Sequence, residues 1–225
     1  VGACPEFKDG TTIMVAGHSS IFIRAGAANK GGPLLFYWHG TGSSAKESAN
    51  YPGVGEIIDA GGIVVAFNGS GTSKADEDCS GTGAHNIADF KAADQIAACA
   101  VEKHGIDARR IYSTGCSSGA LQSGCMAELR SSYIAAVATN SGGLIDQEMK
   151  LNWQDDHTPA VLTMHGGASD IVIVTFSETS TLLDMRAKAH GSFVVNCNHG
   201  GGHCAAPADL QRAGWQFLKD HAFGS

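Results

Sequence analysis

Short apolar runs and longer stretches of helical period alternate along this chain, and that alternation limits the folds open to it more than any other feature. The runs Ser20–Arg24, Leu34–Trp38, Ile63–Phe67, Ile111–Ser113, Ala135–Ala138, Val161–His165 and Phe193–Asn196 read as strands. Several are apolar throughout, as strands covered on both faces must be. Asn86–His104 carries apolar residues at Ile87, Phe90, Ala93, Ile96, Ala97 and Ala100, and Gly105 supplies a stop. Leu121–Leu129, Phe176–Ala189 and Asp209–Leu218 also suit helices. Strands alternating with helices imply a mainly parallel sheet with helices on both faces. In such a sheet, chemistry collects on loops at the carboxyl ends of the strands.

No repeat, low-complexity tract or Pro-rich linker divides the 225 residues, so one domain spanning 1–225 is expected. The 30 glycines follow no collagen-like period and read as turns. A net charge of −7 gives no electrostatic footprint for nucleic acid or an anionic membrane. No apolar run approaches the ~20 residues needed to span a bilayer. The start Val1-Gly2-Ala3-Cys4-Pro5 looks like that of a processed mature protein. Seven cysteines favour an oxidising compartment, with two or three disulfides and one thiol left over, so secretion is expected.

The strand at Ile111 runs into Thr114-Gly115-Cys116-Ser117-Ser118-Gly119 and then a helix. This is G-x-S-x-G in the strand–turn–helix setting that the motif needs. The flanking glycines permit a strained elbow, and the helix N-terminus favours developing negative charge at Ser117. Upstream, Leu34–Trp38 ends in His39-Gly40-Thr41-Gly42, where backbone N–H groups of Thr41 and Ser118 would form an oxyanion hole. Such donors contribute ~3–4 kcal/mol each to transition-state stabilisation. His39 itself would buttress the turn.

The strand Val161–His165 leads to Gly166-Gly167-Ala168-Ser169-Asp170, an acid placed to orient a histidine. Asp146, Asp155 and Asp156 compete for that role but lack a preceding strand. After the last strand, Cys197-Asn198-His199-Gly200-Gly201-Gly202-His203-Cys204 offers two histidines. His203 is preferred as general base because it lies beyond the glycine run and just before the last helix. The order Ser117, Asp170, His203 is that of the α/β-hydrolases, and differs from chymotrypsin and subtilisin. A rival reading makes Cys197, His199, His203 and Cys204 zinc ligands, but the cysteine spacing is wrong for structural zinc.

Cys116 directly precedes the candidate nucleophile and Cys204 directly follows the candidate base. If Ser117 and His203 come within reach of each other, the two sulfurs become neighbours, and a disulfide between them would fix the triad. Cysteines 4, 79, 99, 125 and 197 remain, with Cys99 and Cys125 on flanking helices as a possible bridge; spacing leaves the connectivity open.

The run Arg110–Ala120 resembles the nucleophile region of the polyhydroxybutyrate depolymerase-like esterases, a group that includes feruloyl and acetylxylan esterases. Trp38–Gly42, Gly105–Arg110 and His165–Asp170 share the likeness, which covers roughly residues 34–204. The Cys-Ser and His-Cys dipeptides are also similar to the motif of tannases and fungal feruloyl esterases, where a disulfide links triad residues. Those enzymes carry a lid domain for which this chain has no room. The resemblance implies an α/β-hydrolase fold with a minimal lid or none, and a serine ester hydrolase that needs no cofactor and no metal. It implies a polymeric or small ester as substrate, either a polyester or feruloyl or acetyl groups on plant polysaccharide, and a monomer. Trp38, His39, Trp153 and Asn140 are candidate substrate contacts. A serine peptidase on the same fold, or a non-catalytic binding protein, are the competing readings.

Overall fold

The computed structural model describes residues 2–68, 79, 84–87, 89–145, 152–154 and 157–224. Asp146, Asp155 and Asp156, the competing acids, lie outside the described residues. Eight strands form one sheet: β1 (Thr11–Val15), β2 (His18–Ala25), β3 (Leu34–Trp38), β4 (Ile63–Phe67), β5 (Ile111–Cys116), β6 (Ala136–Asn140), β7 (Ala160–His165) and β8 (Val194–Asn198). Their spatial order is 1-2-4-3-5-6-7-8. β2 runs antiparallel to both β1 and β4, and all pairs from β4 through β3 to β8 are parallel.

β1 was not expected from the sequence. It joins β2 through Ala16 and Gly17, both at positive φ (50° and 81°), the backbone hand that suits a two-residue hairpin. Its edge position leaves it half exposed, so the apolar run that marks a covered strand is missing. β3 and β4, in contrast, are buried at every residue, because helices cover both faces of the parallel part.

Alternate side chains enter two cores. Leu34, Phe36 and Trp38 pack with Ile63, Val65 and Phe67 beneath α2 (Asp89–Cys99), α3 (Ser118–Leu129) and α4 (Phe176–His190). Leu35, Tyr37, Val64 and Ala66 point to the other face, where α1 (Val54–Asp59) and α5 (Ala208–Asp220) supply Ile57, Trp215 and Leu218. After α2 the backbone widens into one π-type stretch over Ala100–His104, and Gly105 ends it at φ 75°. Among the described residues no helix is long and apolar enough to cross a membrane.

Three disulfides tie the fold: Cys4–Cys99, Cys79–Cys125 and Cys116–Cys204, with Cys197 free. The expected bridge between Cys99 and Cys125 is therefore corrected. The N-terminal segment lies along α2, where the Gln95 Nε2 donates to the Ala3 carbonyl at 3.0 Å, and this brings Cys4 to Cys99.

Candidate active site

Ser117 sits where β5 turns into α3, at φ 57° and ψ −124°, a conformation that a non-glycine residue holds only when its surroundings impose it. They do so from both sides. The Ser117 N–H donates to the Asn140 carbonyl at 3.0 Å, and its own carbonyl accepts from Ala120 at 2.9 Å and Leu121 at 3.0 Å. Side chains on Gly115 or Gly119 would run into the Trp38 carbonyl oxygen, so the elbow packs on β3 only because both positions are glycine. This is the steric content of G-x-S-x-G in this chain.

Asp170 follows β7 through a short turn and is fully buried. One carboxylate oxygen accepts from His203 Nδ1 at 2.8 Å. The other accepts from the Ser141 hydroxyl at 2.7 Å and the Gly166 N–H at 2.9 Å. Burial alone would raise the Asp170 pKa; the hydrogen bonds from Gly166, Ser141 and His203 outweigh it and hold the group below its ordinary value. A charged Asp170 therefore faces a histidine whose Nδ1 carries the proton, which leaves Nε2 free to act as a base. His199 is not at the acid; its Nδ1 accepts from the Gly201 N–H at 3.2 Å within its own loop.

Ser117, His203, Thr41 and Ser118 line one cleft of about 320 Å³ at the carboxyl edge of the sheet. Ser117 Oγ and His203 Nε2 are not hydrogen-bonded in this structure; Nε2 lies 3.8 Å from Cys204 Sγ. The Cys116–Cys204 disulfide, with Cα atoms 5.9 Å apart, joins the residue before Ser117 to the residue after His203. The histidine loop is thus covalently fixed to the elbow.

The turn after β3 is held by two partners, half-buried Glu47 and buried His85. The Gly40 N–H donates to Glu47 Oε2 at 3.4 Å, while Glu47 Oε1 accepts from the Tyr37 hydroxyl at 2.8 Å. The His39 carbonyl accepts from His85 Nε2 at 2.9 Å and from the Ser118 hydroxyl at 3.3 Å. Burial first, and the nearby His39 second, lower the His85 pKa to about 4, so His85 is neutral near pH 7 and can serve as that donor.

The expected substrate contacts need correction. Trp38 is fully buried; its ring stacks on Phe67 at 4.3 Å and its indole N–H donates to Ser113, because its place in the strand alternation points it into the core. Trp153 stacks on His190 at 4.2 Å, at the end of α4 where the chain returns to the start of β8, the sheet edge opposite the cleft. His39 is buried and its Nδ1 donates to the Gly40 carbonyl at 2.7 Å, a buttress for the turn. Asn140 lies behind the elbow, donating to the Cys204 carbonyl at 3.4 Å, and does not line the cleft. Cys204, one of the four residues of the zinc reading, is bonded to Cys116 in a disulfide and so has no thiolate to offer a metal.

Sequence reasoning passed over Ser141 as a positioning residue. Besides donating to Asp170, its hydroxyl accepts the Cys204 N–H at 2.9 Å, so one buried side chain holds both the acid and the histidine loop. Its only signal was its place just after β6. A second network holds the acid loop from behind. His165 Nδ1 accepts the Gly167 N–H at 3.0 Å, and His165 Nε2 donates to Asn196 Oδ1 at 3.1 Å. Asn196 Nδ2 in turn donates to the buried Asp184 at 2.7 Å.

The prolyl oligopeptidase family profile matches residues 54–150, a stretch that includes Ser117 but not Asp170 or His203. No curated protein sequence matches the chain. Among solved structures, the native form of a protein called pOPH superposes with a TM-score of 0.75 at 17% identity, covering 99% of this chain and 91% of its own. A Bacillus cereus carboxylesterase gives 0.64 at 16% identity, covering 89% and 94%. An acetyl xylan esterase from Aspergillus awamori gives 0.60 at 13% identity, covering 88% and 94%. The strand order, the elbow between β5 and α3 and these superpositions agree that the chain has the α/β-hydrolase fold.

Proposed function

We propose that this protein is a secreted serine carboxylesterase acting through an acyl-enzyme, with Ser117 as nucleophile, His203 as base and Asp170 as the acid that orients it. The observation that carries the reading is the 2.8 Å bond between buried Asp170 and His203, whose ring opens onto the cleft that Ser117 lines from a strained elbow. His203 Nε2 takes the Ser117 hydroxyl proton as Oγ attacks the ester carbonyl carbon. That serine–histidine bond commonly tightens only in the substrate complex. Backbone N–H groups of Thr41 and Ser118 receive the developing oxyanion. Collapse expels the alcohol, to which His203 returns the proton. Water, deprotonated by the same histidine, then releases the carboxylic acid and regenerates Ser117.

Esters borne on a polymer, whether a polyester or a decorated polysaccharide, are the substrate range that the sequence resemblance suggests. Two of the similar structures are a carboxylesterase and an acetyl xylan esterase, and a serine-to-alanine variant of pOPH has been solved in complex with pNPB. The three disulfides support secretion. The prolyl oligopeptidase match favours a second reading, a peptidase. Both are tested together by comparing p-nitrophenyl acetate with peptidyl p-nitroanilides, for the wild type, Ser117→Ala and Ser118→Ala. Ester cleavage lost only in Ser117→Ala, with no anilide cleavage, is expected. Faster anilide cleavage would make the protein a peptidase, and activity retained in Ser117→Ala would end both readings.

A further inference from the structure

The cleft has two unlike sides. Its polar side is made of Thr41, Ser117, Ser118 and His203, all already given a part in the chemistry. The rest, among the described residues, is Leu121, Ile145, Val172, Ile173, Val174 and Phe176, with no charged or amide side chain among those six. Four of the six come from the segment that follows Asp170 directly. That segment is a closed turn: the Phe176 N–H donates to the Asp170 carbonyl at 2.9 Å, Val172 N–H to the Val174 carbonyl at 3.3 Å, and Ile171 bridges Thr175. It holds Ile171, Val172 and Ile173 at 57%, 60% and 76% exposure. Three successive β-branched aliphatics in solvent are a fault in a soluble fold unless they have a function.

We infer that the turn 171–174 is the specificity element of the esterase, and that it selects esters carrying an uncharged aliphatic chain of roughly four to eight carbons over acetyl esters and over esters of sugars; this rests on the esterase reading above. A sugar brings hydroxyls that need partners once buried, and the six described residues of this wall carry aliphatic or phenyl side chains that supply none. An aliphatic chain needs only to leave water, and rigid β-branched side chains form a wall that loses little entropy on contact. A cavity of ~150 Å³ holds benzene, so about 320 Å³ has room for a chain of this length beside the ester group. The exposed rim of Val172 and Ile173 lets a longer chain continue outward along the same apolar strip.

The test is a kcat/KM series on p-nitrophenyl acetate, butyrate, hexanoate and octanoate, with a parallel series of acetates of growing alcohols to show which side of the ester meets the wall. Wild type, Ile173→Ser and Val172→Ser are compared, both positions being exposed enough to leave folding intact. The wild type is expected to gain about threefold per methylene up to hexanoate in one of the two series. Each variant is expected to lower the hexanoate-to-acetate ratio about tenfold, which a merely structural effect would leave alone. A flat profile in both series with acetate still cleaved, or variants that keep the wild-type ratio, would overturn this inference and leave the esterase standing. Failure to cleave any ester would remove the esterase and this inference together.

Discussion

Breaking the Cys116–Cys204 bridge should damage the protein twice, in stability and in rate, and the two effects can be separated. The bridge spans 88 residues, for which loop-closure entropy gives about 4.6 kcal/mol. Cys79–Cys125 spans 46 residues and gives about 4.0 kcal/mol by the same relation. The double variants Cys116→Ala/Cys204→Ala and Cys79→Ala/Cys125→Ala should therefore lose similar stability, roughly 8–18 °C in Tm for a chain of this size. Their kinetics should differ. Only the first bridge joins the elbow to the histidine loop, and a displacement near 1 Å between reacting groups lowers a rate by about a hundredfold. At 25 °C, below both melting points, kcat for p-nitrophenyl butyrate should fall 10- to 100-fold in the first variant and less than twofold in the second. Calorimetry and initial rates on the same preparations decide it. If both variants keep kcat within twofold, the disulfide is a staple like any other and the positioning argument is refuted.

Three further outcomes follow from the same geometry. Asp170 has its pKa depressed in the folded state, so it adds stability above its unfolded value of about 3.9 that is lost as pH falls through the folded value; Asp170→Asn should flatten acid unfolding below about pH 4 and lower kcat by about 10⁴. Ser141→Ala removes a hydroxyl that serves both Asp170 and the Cys204 N–H in a fully buried place, and should destabilise by about 2–3 kcal/mol in urea titration while kcat drops with KM little changed. His165→Ala frees the Gly167 N–H and should reduce kcat about tenfold through a looser acid loop, an effect that vanishes if the loop holds without it.

The parts of the fold that sequence made legible are those where one local rule dominates. A strand covered on both faces must be apolar throughout, so β3 and β4 announce themselves; β1, half exposed at the edge, does not. α1 is six residues long, too short for a helical period to show. The nearness of Asp170 and His203 was legible because both follow neighbouring parallel strands, β7 and β8. The bridge between Cys116 and Cys204 followed from adjacency to those residues, whereas Cys4 and Cys79 lie in segments with no pattern to place them. Trp38 misled because an aromatic at a strand end suits either a cleft or a core, and strand parity chose the core. Ile171–Val174 carries neither a catalytic residue type nor a helical period, so no sequence rule singles it out, while here it forms a turn with Ile171, Val172 and Ile173 exposed. Ser141 acts through space on residues distant in sequence, and no local rule finds such a residue.

In the proposed mechanism Ser117 attacks carbonyl and carbonyl-like centres with the help of His203. Intact-mass and peptide mapping after treatment with an alkyl fluorophosphonate tests it directly, since the adduct forms only on an activated serine. One adduct per chain is expected, located on the peptide containing Ser117, retained in Ser118→Ala, and lost in Ser117→Ala and His203→Ala. An adduct on another residue, or undiminished labelling in Ser117→Ala, would rule out Ser117 as the nucleophile.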